Sequence, residues 1–226
     1  MVQKAIIFDS GTLINFTMNG LEDDLRDLKG IFHGNFLITE AVKNETIRTP
    51  MNIKKFELGA LKIQALLKDR TIELPSSLRI KDNFIQGKTK EILDLANNTF
   101  FADARPIHLI DKGEASSLVL SEILNKKGIK NVIAIDERTT RMLCEKPENL
   151  GKLLEKKIHT NIQIKKENLN YFSRFKIIRS SELVFIAYKK GLIDLKEDNV
   201  LDALLYAIKY RGCSISKQEI EEMKKL

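Results

Sequence analysis

The sequence predicts an α/β fold with three layers, in which helices cover both faces of a short central parallel sheet. Short apolar runs at 2–8, 35–39 and 131–136 are typical of strands buried on both faces. Helical patterns follow each of these runs, and residues 179–226 are predicted to be helical almost throughout. Alternating strands and helices that end in a helical region are typical of a three-layer α/β domain.

The composition bounds the class of protein. The chain has 226 residues, of which 43% are hydrophobic and 31% are charged, so it can bury one substantial core. Eleven glycines and four prolines are too few for a fibrous or low-complexity protein. No apolar run approaches the ~20 residues that cross a bilayer, and the N-terminus lacks the apolar region of a signal peptide. We therefore predict a cytoplasmic protein that does not partner a membrane.

Capping residues and helical spacing locate the helices. In the first half, the patterns predict helices at 21–30, behind Thr39, behind Pro50, at 88–100, and at 112–127 with Asp111 as N-cap and Gly128 as terminator. In the second half, they predict a helix from Glu137 to about Lys157, a short strand near Ile162, and helices at 179–191, 198–212 and 216–226. Nothing marks a repeat or a linker, so residues 1–226 are predicted to form a single domain.

The positive charge is concentrated in one segment. The net charge is +7, and Lys152–Lys190 alone has ten basic residues against three acidic ones, a balance of +7. Such a distribution favours a polyanionic partner, although a solvated lysine face has the same pattern. Tyr171, Phe172 and Phe175 lie within this segment and are predicted to be core residues more than base-stacking ones.

Two aspartates follow the most apolar strands. Asp9 ends the first run and Asp136 ends the run at 131–136. Functional groups of parallel sheets gather at the carboxyl ends of strands, although a single aspartate there is often a turn residue. Several converging carboxylates repel one another and are tolerated mainly around a divalent cation. The pattern therefore indicates a candidate Mg²⁺ or Mn²⁺ site.

Further acidic candidates lie near the predicted helix starts. Glu114 stands three residues after Asp111, which is also the pattern of a capping box with a purely local role. Glu40 and Glu45 lie close together on another predicted helix, and either is equally interpretable as a surface acid. Spacing alone does not choose among these residues.

Five segments, in order and near the expected spacing, resemble the PIN-domain ribonucleases, especially the subgroup whose helix begins with Gly-Glu-Ala. They are IIFDSGTLI, TEAVKNETI, DKGEASSLVLSEI, VIAIDERTTR and SELVFIAYKKGLI. The resemblance implies a PIN-like domain in which four acidic residues surround one or two Mg²⁺ or Mn²⁺ ions and hydrolyse single-stranded RNA. It assigns both catalysis and metal binding to Asp9, Glu45, Glu114 and Asp136, with Asp111 and Glu40 as reserves. It also implies a homodimer and an inhibitor protein as partners to consider beside RNA.

The resemblance covers about 1–50, 107–141 and 179–226. The segments 51–106 and 142–178 are longer than the connections of the small toxin members, which weakens a toxin role more than nuclease chemistry. We predict these two segments to be elaborations of the domain, such as substrate arms or a dimer surface.

Polar residues beside the predicted carboxylates are candidates for substrate binding. The hydroxyls of Ser10 and Thr12 follow Asp9, and each could bind a phosphate or satisfy local backbone. Arg138 and Arg141 follow Asp136 and could hold a phosphate bidentately or form an exposed basic helix start.

Two rival interpretations accompany the nuclease hypothesis. IIFDSGTLI is also similar to the first motif of haloacid dehalogenase-like phosphatases, but the second aspartate, which would act as general acid, is missing. The other rival is a catalytically silent PIN-like protein that binds RNA or acts as a scaffold. The separation of the four carboxylates is the first observation that bears on this choice.

Overall fold

The computed structural model describes residues 3–226, so Val2, which the first predicted strand included, lies outside the described residues. The strands are β1 (Lys4–Phe8), β2 (Asn35–Leu37), β3 (Phe100–Ala102), β4 (Arg105–Pro106), β5 (Lys130–Ala134), β6 (Ile162–Ile164) and β7 (Ile177–Ile178). The α-helices are α1 (Ser10–Met18), α2 (Glu22–Phe32), α3 (Glu40–Lys43), α4 (Lys54–Lys68), α5 (Asp82–Asn97), α6 (Lys112–Lys126), α7 (Arg138–Glu145), α8 (Pro147–Ile158), α9 (Lys166–Phe172), α10 (Ser180–Lys189), α11 (Val200–Tyr210) and α12 (Lys217–Lys224). A π-helical turn spans Asn44–Arg48, and 3₁₀ turns span Pro50–Asn52 and Pro75–Leu78.

The central sheet is parallel and has the strand order β2-β1-β5-β7. β1 lies in its interior, where Ile6 is opposite Phe36 on one side and Val132 on the other. The carboxyl ends of β1 and β5 are therefore neighbours. This confirms the predicted parallel sheet and places the residues after these two strands at one edge.

Helices cover both faces of this sheet, as the three-layer prediction required. Side chains alternate along β1, so Phe8 packs with α1, α2, α4 and α10–α12, whereas Ile7 packs with α5–α9. We call the first side the α1 face and the second side the α6 face. None of the helices formed by residues 3–226 is long and apolar enough to cross a membrane.

The two predicted elaborations contribute a second sheet. It is antiparallel with the order β4-β3-β6, and Phe100 is opposite Ile164. Phe172 and Phe175 are buried in the core beneath it, as expected, and the Tyr171 hydroxyl donates to Glu122 at 2.8 Å. Phe172 and Phe175 are therefore core residues, and the half-buried Tyr171 packs against both, so the three rings do not form an exposed stacking surface.

Several predicted boundaries were wrong. The helix placed at 88–100 begins at Asp82 and ends at Asn97, because Phe100 enters β3. The single helix expected from Glu137 is two helices, because the residue before Pro147 is forced out of the helical region (Lys146, φ −148°, ψ 66°). The helix expected to close on Gly30 continues to Phe32 and ends with His33 in the left-handed region.

Candidate active site

Asp9 occupies the carboxyl end of β1 and is the N-cap of α1. Its backbone is still extended (φ −80°, ψ 163°), so the alternation that puts Ile7 on the α6 face also directs Asp9 toward that face. One carboxylate oxygen, Oδ2, accepts from the backbone N–H of Gly11 at 3.3 Å. The other, Oδ1, is buried without a hydrogen-bond partner among the described residues, and the whole residue is only 4% exposed. A buried, unpaired carboxylate oxygen is unfavourable unless a proton or a cation occupies it.

Glu45 reaches the same place from the π-helical turn Asn44–Arg48. Its carboxylate lies against Gly113, where an added Cβ would stand 2.9 Å from Cδ of Glu45. The Ser10 hydroxyl and the Gly113 N–H lie close enough to lower the pKa of Glu45, although burial raises this pKa overall. Gly113 is therefore required for the close approach of this carboxylate, since any side chain would displace it.

Glu114 comes from the first turn of α6. Its Oε2 accepts from the N–H of Asp111 at 2.5 Å, which completes the capping box that the sequence allowed. Its Oε1 accepts from the Thr140 hydroxyl at 3.1 Å. Glu114 therefore combines the local capping role with a place beside Asp9.

The electrostatics show that these carboxyl groups are close. Burial, together with the nearby charges of Glu114 and Glu45, raises the pKa of Asp9 from 3.8 to about 8. Burial also raises the pKa of Glu114 to about 7, with the charges of Glu137 and Asp111 acting in the same direction. Around pH 7, Asp9 is therefore mostly protonated in the absence of a cation.

Asp136 lies at the same edge of the sheet, but its side chain does not join this cluster. Its side chain points to the same face of the sheet as that of Ala134, two residues earlier, which packs on the α1 face. Its Oδ2 accepts from Asn15 Nδ2 at 2.9 Å and its Oδ1 accepts from the N–H of Ser180 at 2.8 Å. The structure thus brings Asp9, Glu45 and Glu114 together and holds Asp136 in a separate, fully hydrogen-bonded site that is 3% exposed.

Glu137 is the acidic residue that the sequence interpretation missed. Its nearby negative charge raises the pKa of Glu114. Its Oε2 accepts from the Thr140 N–H at 2.7 Å and lies 3.3 Å from the Thr140 hydroxyl, which also contacts Glu114. Alternation was the available signal, because the residue after Asp136 points to the opposite face. Asn15, which tethers Asp136, left no comparable signal in the sequence.

The two hydroxyls predicted to bind substrate have different surroundings. Ser10 is half-buried beside Glu45, where its hydroxyl faces the carboxylate. Thr12 is completely buried, and its hydroxyl donates to the carbonyl of Ala134 at 3.0 Å. Ser10 is therefore placed to meet a ligand at the cluster, whereas Thr12 joins α1 to β5.

The two arginines also differ. Arg138 is exposed at the first position of α7 and has no ion pair in the described part of the chain. Arg141 is mostly buried, and its Nη2 donates to the carbonyl of Ser214 at 3.3 Å. Ser214 in turn donates its N–H to the carbonyl of Asp136. Arg141 thus fastens the segment before α12 to α7, and the Ser214 N–H fastens the same segment to Asp136.

The reserve acids lie at the margin of the cluster. Glu40 forms ion pairs with Lys43 and Arg48, both at 3.3 Å. The Asp111 carboxylate is exposed and contacts Nε2 of His108 at 2.8 Å. Glu40 is engaged with cations of its own helical segment, whereas Asp111 adds negative charge beside Glu114 and Glu45.

The ligand atoms of the cluster are of the type that binds a metal ion, but the side chains are not arranged to bind one. Asp9, Glu45 and Glu114 offer only oxygen ligands, as Mg²⁺ and Mn²⁺ prefer, and Oδ1 of Asp9 has no other partner. As the side chains stand, however, residues 3–226 contain no group of three or more His, Cys, Asp or Glu arranged to hold a metal ion. Cation binding here therefore requires loss of protons and reorientation of carboxylates.

The fold and this site together define an α/β protein with a buried carboxylate cluster at the carboxyl edge of a parallel sheet. Comparison of the chain with protein-family models, curated proteins and solved structures found no match. The PIN-domain resemblance therefore stays a prediction that rests on the five sequence segments.

Proposed function

We propose that this chain is a PIN-like, Mg²⁺- or Mn²⁺-dependent endoribonuclease that hydrolyses phosphodiester bonds of single-stranded RNA. The observation that supports the proposal best is the unpaired, buried Oδ1 of Asp9 beside Glu114 and Glu45. A folded protein retains such an arrangement at a loss of stability, which is typical of groups kept for binding or catalysis. The five PIN-like segments give the substrate class.

In this proposal Asp9, Glu45 and Glu114 hold the cation, and Glu137 stands beside them. A bound divalent cation would lower the pKa of a coordinated water and neutralise charge on the phosphate. Thr140 orients Glu114 and Glu137 by contacting both carboxylates. The role first given to Asp136 changes to positioning, because it ties β5 to α1 and α10.

The accessible side chains beside the cluster are the candidates for contacting the substrate. Ser10 offers a hydroxyl next to Glu45, and Arg138 offers an uncommitted guanidinium where α7 begins. A guanidinium can hold a phosphate with two hydrogen bonds. We assign phosphate contacts to these two residues, and we assign structural roles to Thr12 and Arg141.

The alternative function is a catalytically silent RNA-binding protein. One observation favours it, since both oxygens of Glu114 already accept hydrogen bonds within the protein. Together with the hydrogen-bonded Asp136, this leaves Oδ1 of Asp9 as the buried carboxylate oxygen of the described residues that has no partner. A protein of this type would bind RNA and leave it intact.

A metal titration separates these functions. We expect mixed-sequence single-stranded RNA to be cut in Mg²⁺ or Mn²⁺, to leave 5′-phosphate ends, and to stay intact in EDTA. Double-stranded RNA of the same sequence is the matched control. RNA that is bound but never cut, at any concentration of either metal between pH 6 and pH 9, would establish the silent alternative.

The basic segment gives a second prediction. Lys156, Lys157, Lys165 and Lys166 are exposed and form no ion pair within residues 3–226, whereas Arg174 is held by Glu122. If these lysines contact RNA phosphates, each contributes about −0.7 to the slope of log affinity against log salt. Replacing all four by glutamine should therefore flatten that slope by about 3.

The matched control removes the same amount of positive charge from lysines outside Lys152–Lys190. Lys81, Lys90, Lys127 and Lys217 are also exposed and unpaired in the described chain, so their replacement by glutamine removes the same four charges. Fluorescence anisotropy between 50 and 300 mM salt is the measurement. Equal slopes for the two quadruple variants would show that Lys152–Lys190 is a solvated face and not an RNA-binding arm.

A further inference from the structure

An apolar cavity lies directly beside the carboxylate cluster. It has a volume of about 480 Å³, lies between α1 and α4, and has Glu45 in its wall. Ligand-binding cavities for small molecules commonly have volumes of about 300–1,000 Å³. Glu45 therefore borders two spaces, the carboxylate cluster on one side and this cavity on the other.

The rim of the cavity is aromatic and positively charged. Phe56 is 49% exposed, although it stands on the helix that forms the cavity wall. The Nζ atom of Lys55 lies 5.3 Å from the centre of the Phe56 ring, and Lys55 forms no ion pair in the described residues. Lys62 lines the cavity too, but it is paired with Glu22 at 2.6 Å.

Gly59 lines the cavity, and its lack of a side chain leaves space there. A Cβ added there would meet no atom within 4 Å, so neither packing nor backbone geometry requires glycine at this position. Within a helix glycine is less favourable than alanine. The missing side chain leaves space one helical turn from Phe56, on a wall that also includes Ile14, Met18 and Ile63.

We propose that this cavity binds one unpaired base of the RNA, the base next to the phosphate held at the carboxylate cluster. This inference rests on the proposed function. The base would stack on Phe56, and Lys55 would meet its phosphate. An aromatic face suits a base and a free cation suits its phosphate, and aromatic stacking tolerates any base.

The chain contains its own matched control for this site. Phe84 and Gly87 on α5 repeat the spacing of Phe56 and Gly59 on α4; Phe84 is 68% exposed, and a Cβ at Gly87 also meets nothing within 4 Å. Phe84 lines a different cavity that contains none of the clustered carboxylates. The same substitutions can therefore be made at both places.

Binding is measured by fluorescence anisotropy with short single-stranded RNA in EDTA, so the readout does not depend on cleavage. We expect Phe56→Ala to weaken binding by about fivefold to 100-fold, as for loss of one stacked base, and Phe84→Ala to leave it unchanged. Gly59→Leu should weaken binding by filling the cavity, whereas Gly87→Leu should not. Equal affinities for the parent, Phe56→Ala and Gly59→Leu would overturn the proposal.

An RNA with one abasic nucleotide tests the contact directly. At one position the abasic nucleotide should lower the affinity of the parent, yet cause no further loss with Phe56→Ala, because the two changes remove the same contact. Additive losses at every position would contradict the base site. Conversion of a dimer to a monomer by Phe56→Ala, with RNA affinity unchanged, would assign the cavity to a second copy of this chain.

Failure here is distinguishable from failure of the proposed function. A parent that binds RNA through Phe56 but never cuts it refutes the nuclease and supports the base site. A parent that cuts RNA, with affinity insensitive to Phe56 and Gly59, supports the nuclease and refutes the base site.

Discussion

Replacing Asp9 by asparagine is expected to abolish metal-dependent cleavage of RNA while leaving the fold intact. The substitution removes the carboxylate whose Oδ1 has no partner and barely changes side-chain volume. Loss of an outer-shell partner alone lowers metal affinity or activity by about 10–100-fold, so loss of a ligand should lower cleavage by about 100-fold or more. The measurement is the cleavage rate at saturating Mn²⁺. An unchanged rate would show that Asp9 is not a metal ligand.

The same substitution should stabilise the metal-free protein at high pH. The folded pKa of Asp9, about 8, lies above its ordinary value of 3.8, so between these values the folded protein binds a proton that the unfolded chain has lost. The free energy of unfolding therefore falls as pH rises from about 4 to about 8, by up to about 1.4 kcal/mol per pH unit for this group. Asparagine carries no charge, so the variant should be more stable than the parent at pH 8 by about 2 kcal/mol or more.

Urea denaturation in EDTA at pH 5, 6.5 and 8 measures this difference. Asp198→Asn is the control, because Asp198 is an exposed aspartate far along the sequence, in the loop before α11. Its stability should follow the parent at each pH. If the stability of Asp9→Asn equalled that of the parent at all three pH values, the pKa of the Asp9 carboxyl would not be raised in the folded protein.

Replacing Asp136 by alanine should have the opposite effect on stability, a loss of about 2–4 kcal/mol in the free energy of unfolding. The buried carboxylate accepts from Asn15 and from the N–H of Ser180, and its removal leaves the buried N–H of Ser180 without this acceptor. Hydrogen bonds to charged groups contribute about 1.5–3 kcal/mol each. Urea denaturation in EDTA at pH 7 gives the measurement.

The neighbouring residue supplies the comparison for Asp136. Glu137 is exposed, and glutamine at this position keeps an acceptor for the Thr140 N–H. Glu137→Gln should therefore leave the free energy of unfolding almost unchanged. We expect this variant to lose activity because Glu137 stands beside Glu114. If Asp136→Ala kept the parent's free energy of unfolding but lost cation binding, Asp136 would be a metal ligand and not a positioning residue.

The sequence predicted much of this architecture, because apolar runs and capping residues act locally. The strands β1 and β5, and α6 with its capping box, are specified by neighbouring residues. Asp9 and Glu114 could be located for the same reason, since one follows a strand and the other begins a helix.

Other parts of the site depend on contacts between distant residues. The position of Glu45 is set by a π-helical turn and by Gly113, 68 residues later, and neither leaves a periodic signal in the sequence. The direction of the Asp136 side chain depends on whether the extended backbone continues through Ile135, beyond the end of β5 at Ala134. A shift of one residue moves a side chain to the other face, which is why Glu137, and not Asp136, stands beside Glu114.

The pairing of β3 with β6 means that the two segments outside the family resemblance form one structural unit. Phe100 comes from the first segment and Ile164 from the second, and Gly151 of the second segment leaves the space that Ile164 and Phe100 occupy. During synthesis β3 must wait for more than 60 further residues before its partner strand emerges. Truncation of one segment alone would leave the other with an open strand edge, so we expect such a truncated chain to aggregate through that edge.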